Sequence, residues 1–463
     1  MLGALLGPEI SELIQDKQFA ALREVCLDIP APDLAEMIEE LEPADSAVLF
    51  RVLPTELAAD VFEYLHVETQ TVLLHALGDE QVASMLNEMA PDDRTALLAE
   101  LPAAVTQKLL SQLSPKEAQI ARTLLGYAEG SVGRRMTPDY LAVKDNWLVS
   151  DVLAHIRQVG DQLEQFDVIY VTDLKGRLTD EVTLREILLA DPAARVQDLV
   201  DGHVVSLKAD EPQQAAVEKL RHYDLAALPV LDSSGRLVGC VTADDVLDIA
   251  VEEQTEDVQK MAAVEALDAP YMEERLGKLV RKRISWLILL FFGGMLTATA
   301  MAHYAETLEK VVILALFIPL VIATGGNSGS QASSLIIRAI ALGELRLHDW
   351  HRVLLRELLC SGILGLALGL VGFARVWFGE LSGLEDYGGY AMHLSLTVMF
   401  SVMGVVLVGS LVGSMLPFLL KLARLDPASG STPLVSTLVD VTGLIIYFTA
   451  AMIILGDVLR PGG

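Results

Sequence analysis

Pro433–Leu455 reads PLVSTLVDVTGLIIYFTAAMIIL, and Asp440 is its one charged residue. The run has the length and apolarity of a membrane-spanning helix. A carboxylate near the centre of such a helix costs about 2.5–3.5 kcal/mol on insertion scales, so it persists where it faces a bundle interior, a wet cavity or a cation. Two readings follow. One is an ion or proton path; the other is a structural carboxylate bonded to a neighbouring helix. Four more apolar stretches precede it, near 285–304, 311–342, 352–378 and 392–420.

The second of these contains PLVIATGGNSGSQ, Pro319–Gln331. Pro319 removes a helix hydrogen bond, and Gly325, Gly326 and Gly329 permit non-helical backbone. Asn327, Ser328, Ser330 and Gln331 add polar groups. The expectation is a broken span whose freed carbonyls, an Asn and one carboxylate form an all-oxygen environment. Hard cations such as Mg2+ or Ca2+ suit it, and Mg2+ would be held through its waters. Gly365/Gly369 and Gly409/Gly413 read as small-xxx-small packing pairs.

Charge divides the chain. Of 463 residues 52% are hydrophobic, yet the net charge is −29. Residues 284–463 hold 9 Lys and Arg against 11 Asp and Glu, and residues 1–283 hold 25 against 52. The acid therefore lies in a soluble half, which disfavours nucleic acid as a partner and favours cations. Cys26, Cys240 and Cys360 are isolated. That speaks against a disulfide framework or thiolate zinc site and fits a reducing compartment. The first residues lack a basic stretch followed by an apolar core, so no cleaved signal peptide is expected. Lys278, Arg281, Lys282 and Arg283 precede the first span. Arg338, Arg346, Arg352 and Arg356 surround the second connection, and Lys421 and Arg424 the fourth. The other connections carry Glu306, Glu309, Glu380, Glu385 and Asp386. The positive-inside rule then expects the N-terminal half in the cytoplasm and the C-terminus outside.

The soluble half has two parts. Apolar residues recur every twelve positions at Ile29, Leu41, Leu53, Leu65, Leu77, Met89, Leu101, Leu113 and Leu125, with Pro54, Pro91, Pro102 and Pro115 just after one of them. Each unit reads as a helix of about two turns plus a tight turn, and units this short must stack. Residues 1–130 are expected to be a small α-solenoid. In residues 131–257, VIYVTDLKGRLTDEVTLREIL parallels ALPVLDSSGRLVGCVTADDVL. Both read strand, turn with Gly-Arg-Leu, strand, helix. This resembles a tandem pair of CBS domains. Gly239, Thr242 and Asp245 match the segment that contacts an adenosine ribose in many such domains, which makes ATP a candidate ligand. Residues 249–283 read as one long helix, acidic at VEEQTEDVQK and basic at KLVRKR, connecting directly to the membrane.

Three stretches together closely resemble the MgtE family of magnesium channels: PLVIATGGNSGSQ, DPASGSTPLVSTLVDVTG from Asp426, and TADDVLDIAVEEQTED from Thr242. The implied protein is multidomain: an α-solenoid N-domain (1–130), α/β tandem CBS domains (131–257), a connecting (plug) helix (249–283) and an all-α five-helix transmembrane pore domain (284–463). The resemblance implies a homodimer in a bacterial-type cytoplasmic membrane, with a Mg2+-selective pore on its two-fold axis that mediates magnesium uptake. Asp440 corresponds to the acid that holds hydrated Mg2+. Pro319, Gly325, Gly326, Asn327, Thr432 and Pro433 are the candidate pore-lining residues. Some relatives carry Asn where this chain has Thr432, which still offers a hydroxyl oxygen. Cytoplasmic Mg2+ would close the pore by bridging acids of the soluble half. Asp224, Asp245, Asp248, Glu253, Glu256 and Asp257 match this sensor, with Asp92 and Asp93 as the N-domain counterparts. The rivals are a secondary transporter of a divalent ion such as Co2+, and a membrane-anchored nucleotide or metal sensor that transports nothing. An enzyme is not expected. No nucleophile–base constellation occurs, and GGNSGSQ lacks the Gly-Lys-Ser/Thr ending of a P-loop.

Overall fold

The computed structural model describes residues 2–160, 163, 166–267, 271–272, 274–383, 385–387, 389–430 and 432–456. The chain divides into two units, Met1–Glu252 and Glu253–Gly463.

The first unit opens with ten helices: α1 (Leu2–Gln15), α2 (Phe19–Leu27), α3 (Ala31–Glu40), α4 (Pro43–Val52), α5 (Thr55–Glu63), α6 (Val67–Ala76), α7 (Asp79–Glu88), α8 (Pro91–Glu100), α9 (Ala103–Gln112) and α10 (Pro115–Leu125). The twelve-residue period has a simple origin. Leu41, Leu53, Leu77, Met89, Leu101 and Leu113 end their helices in extended conformation. Pro54 and Pro102 are N-caps, while Pro91 and Pro115 are first helical residues, where proline costs no hydrogen bond. The helices are longer than the expected two turns; most take about ten of the twelve residues.

Helices pack on next-but-one neighbours, among them α3 on α5, α5 on α7 and α8 on α10. The structural period is therefore a helix pair. Glu39 Oε1 accepts the N–H of His66 at 2.7 Å, Glu63 Oε1 that of Ala90 at 3.3 Å, and Asn87 Oδ1 that of Ser114 at 2.8 Å. The inner side repeats in the same way. Ser46, Gln70 and Arg94 are buried and donate back to the carbonyls of Ile38, Phe62 and Leu86 at 2.8, 2.7 and 2.9 Å. These carbonyls lie in last helical turns, where no intrahelical donor remains.

The rest of this unit is a pair of α/β modules. The first holds β1 (Ala142–Lys144), α12 (Val149–Val159), β2 (Val168–Thr172), β3 (Leu178–Thr183) and α13 (Leu184–Leu189). The second holds β4 (Leu207–Lys208), α14 (Gln214–Tyr223), β5 (Ala227–Leu231), β6 (Leu237–Thr242) and the start of α15 (Ala243–Met261). In each sheet the first strand is parallel and the third antiparallel to the middle one, with a register shift at the same place. The turns between hairpin strands are Asx turns. Asp173 Oδ1 accepts from the N–H groups of Lys175 and Arg177, and Asp232 Oδ1 from those of Ser234 and Arg236. Helix α11 (Val132–Arg135) precedes the first module in sequence but buries Val132, with Met136, in the core of the second.

Among its described residues the second unit contains five helices long and apolar enough to cross a membrane. They are α16 (Leu276–His303), α18 (Ile318–Ala341, led by a 3-10 turn), α19 (Trp350–Leu381), α20 (Ala391–Leu422) and α21 (Thr432–Ile454); the short α17 (Ala305–Lys310) links the first two. Two expectations are corrected. The span through Pro319–Gln331 is not broken: α18 is helical throughout, with Pro319 in its first turn. Its glycines serve packing instead. A Cβ on Gly325 would lie 2.1 Å from a methyl of Val405, and one on Gly413 of α20 would lie 2.0 Å from the Gly329 carbonyl. Nor is 249–283 one helix. α15 stops at Met261 and α16 starts at Leu276, while residues 268–270 and 273 lie outside the described set. The stop is a C-terminal cap. Ala263 turns to φ +58°, and the Val264 N–H returns to the Gln259 carbonyl, as in a Schellman motif.

Candidate functional site

The membrane helices place Asp440 on the packed side of α21. Leu438, Ile445, Met452 and Ile453 are exposed, whereas Val435, Val439, Gly443, Tyr447 and Phe448 are buried. Asp440 follows Leu438 by two residues, about 200° round the helix, and is half-buried. One turn earlier, Ser436 Oγ lies 3.2 Å from Ser330 Oγ of α18 and packs on Gly326. Its neighbour Thr437 packs on Gly293 of α16. Side chains one turn apart stack along one face, so Asp440 faces the seam between α16 and α18. Thr432 and Pro433 begin α21 and are half-buried.

On α18, Gly325 and Gly326 are buried against neighbouring helices. Leu320, Ala323, Asn327, Gln331 and Leu335 are exposed, at helical spacing. Two polar side chains thus sit on a face that this chain leaves uncovered, and Pro319 is exposed at the start of the helix. The backbone carbonyls are committed to the helix. The oxygens left for a cation are those of side chains and water.

The acids of the soluble half fall into two groups. In the first unit, Asp92 and Asp93 lie in the first turn of α8, and Asp245 and Asp248 on α15. Burial raises the Cys240 thiol to about 12, helped by Asp92, Asp245 and Asp139. Burial also raises Tyr64, helped by Glu63, Asp93, Asp244 and Asp60. The start of α8 and the start of α15 therefore share an acidic neighbourhood. Burial, then Asp244, raises Asp248, with Arg135 opposing. Asp224 stands apart as the C-cap of α14, at φ +54°.

In the second unit Glu253, Glu256 and Asp257 occupy the end of α15. Burial pushes Asp257 up to about 6, followed by Asp426. Lys260 stands among them, its Nζ 2.7 Å from Glu256 Oε1 and 2.6 Å from Asp426 Oδ2. Burial opposes its charge, but these two carboxylates hold the ammonium above its ordinary pKa. Among the described residues, no three His, Cys, Asp or Glu side chains are arranged to hold a metal ion.

The MgtE divalent cation transporter family matches residues 318–450, the MgtE intracellular N domain residues 29–130, and the CBS domain residues 196–252. The magnesium transporter MgtE of Thermus thermophilus is 41% identical over 333 residues, 72% of each chain. The chain belongs to the MgtE family. A second MgtE, the magnesium transporter of Enterococcus faecalis, is 30% identical over 73% of this chain and 72% of that one. The cytosolic domain of the Mg2+ channel MgtE, solved in complex with ATP, is 35% identical, with a TM-score of 0.50. It covers 52% of this chain and 98% of that one.

Within this MgtE framework, sequence reasoning passed over Asp426, Asp139 and Asp244. Asp426 opens a quoted motif, yet nothing local marks it as the partner of Lys260, 166 residues away. Asp139 has no helical or strand pattern around it; it is raised by burial, with Lys116 opposing.

Proposed function

We propose that this chain is a homodimeric Mg2+ channel of the cytoplasmic membrane that mediates uptake and is closed by cytoplasmic Mg2+. The observation that carries it is Asp440, the one charge of α21, half-buried on the packed side of an apolar bundle. Hydroxyls and a single carboxylate suit a hard cation that keeps most of its water, and the relatives are named magnesium transporters. The uncovered polar stripe of Asn327 and Gln331 supports a second copy across a two-fold axis, since polar groups in hydrocarbon need protein or water beside them. The basic ends of the spans support a cytoplasmic N-terminal half.

Closure follows from repulsion. The acids of α8 and α15, and Asp257 beside Asp426, pack more comfortably with divalent cations bound. Mg2+ that binds this compact arrangement better than a loosened one shifts the population towards it. ATP is proposed for the cleft between the modules, lined by Thr137, Asp139, Tyr140, Tyr170, Ala227 and Thr242. The ATP complex of the solved relative supports this, as does the Thr242 hydroxyl donating to Asp245, which fixes a carboxylate for a ribose.

The test is Mg2+ uptake into proteoliposomes with an entrapped indicator. Asp440→Ala is expected to fold and dimerise, since the cost of burying the charge leaves with it, yet to lose most uptake. Undiminished uptake in that variant would make Asp440 structural. Uptake that required a proton or Na+ gradient would replace the channel with a secondary transporter.

A further inference from the structure

The base of α16 is unlike the rest of the bundle. Arg275 is its N-cap, and Lys278, Arg281, Lys282 and Arg283 follow within its first two turns. One of the five turns inward. Lys282 is largely buried, donates to the Ala266 carbonyl and lies 3.9 Å from Glu274. Its own carbonyl accepts the Glu265 N–H at 3.2 Å. Lys282 thus ties the segment arriving from α15 to this helix. The others are exposed. Among the described residues, Arg275, Arg281 and Arg283 make no ion pair.

The three arginines do not share a face. At about 100° per residue they point to three sides of the helix. A folded partner would neutralise one side only. Directly beyond them α16 turns apolar, with Ile284, Leu287, Ile288 and Phe291 exposed and no residue of the helix buried. A helix ringed by uncompensated guanidinium groups at the edge of its hydrocarbon segment matches a layer that surrounds it with negative charge.

We propose that the base of α16 is a docking surface for the headgroups of anionic phospholipids in the adjoining leaflet. Guanidinium suits the phosphate oxygens, since its planar fork donates two parallel hydrogen bonds. Basic clusters next to a spanning helix gain from the negative potential of such a leaflet. Because Lys282 holds the 262–267 segment to the same turns, headgroup binding also anchors the point where α15 is coupled to the membrane.

The reporter is Trp286, one turn past Arg283. The full-length chain, with Trp147, Trp350 and Trp377 replaced by Phe, is placed in nanodiscs containing brominated phosphatidylglycerol or brominated phosphatidylcholine. Quenching of Trp286 is expected to show at least about a fivefold preference for the anionic lipid. Arg275→Gln/Arg281→Gln/Arg283→Gln is expected to abolish the preference. The matching triple Lys variant, which keeps the charge, is expected to retain it and guards against misfolding of the neutral one. Equal quenching by both lipids in the parent would overturn the proposal, as would a preference that survives the triple Gln variant. Loss of the preference on adding millimolar inorganic pyrophosphate would reassign the surface to a soluble anion.

Discussion

Glu181 is the residue whose ionisation depends most plainly on where the fold put it. It lies on β3 opposite Tyr170, and its Oε2 is sealed from water with no hydrogen-bond partner among the described residues. Burial, then Asp180, Asp201 and Glu186, push the carboxyl up to about 7. Asp180 cannot relieve it, because its own oxygens accept the N–H groups of Glu181 and Gly202. The folded state holds the proton more tightly than the unfolded chain, so stability is greatest below pH about 4.5 and declines until pH about 7. After allowance for solvent screening the effect is about 1–2 kcal/mol. Glu181→Gln is expected to remove that part of the decline. The check is thermal melting of the full chain at pH 5 and 7.5. Asp257 contributes a slope of the same sign in both proteins, so the difference between them isolates Glu181. An identical pH dependence in wild type and variant would refute the assignment.

At the scale of elements, α18 and α20 are held together by absent side chains. Gly325 and Gly329 face Gly409 and Gly413, and the backbones approach until a Cβ on Gly413 would strike the Gly329 carbonyl. Gly413→Ala is expected to cost about 1–3 kcal/mol through overpacking, seen as a lower melting temperature in detergent. Gly294→Ala is the control, because nothing lies within 4 Å of its added methyl. In the solenoid the vulnerable element is the joint between α8 and α10. Arg94 is fully buried and pairs with Glu117. Arg94→Ala leaves Glu117 and the Leu86 carbonyl without that partner. The expected loss is about 3–5 kcal/mol, read from urea unfolding. A loss under about 1 kcal/mol would mean that water replaces the guanidinium.

At the scale of the whole molecule the prediction concerns coupling. Helix α15 begins in the second α/β module and ends at the Lys260–Asp426 pair. Neutralising Asp245, Asp248, Glu253, Glu256 and Asp257 together is expected to blunt the proposed closure by Mg2+ while leaving the flux proposed to depend on Asp440 intact. Single-channel open probability against cytoplasmic Mg2+ measures this, with protease protection of the soluble half alongside. An unchanged closure curve would place the sensor elsewhere. Because α15 and α16 are separate helices, the proposed coupling would run through the segment that Lys282 fastens, not along one rigid rod.

Much of this protein was legible one segment at a time. Hydropathy located the five spans, twelve-residue spacing located the solenoid helices, and the paired turns at Asp173 and Asp232 located the two modules. Each rests on local rules of period and capping. What the tertiary structure alone decided is which groups meet. Glycines and a proline in α18 are compatible with either a broken or an unbroken helix, and the choice fell to α20, whose own glycines reward close approach. The solenoid shows a period of twelve in sequence but works as helix pairs, because Glu39, Glu63 and Asn87, on every second helix, each cap the helix three further on. Asp426 acquires Lys260 and Asp257 only when the chain folds back on itself. Backbone preference is set by neighbours in sequence, while partnership is set by packing between segments far apart.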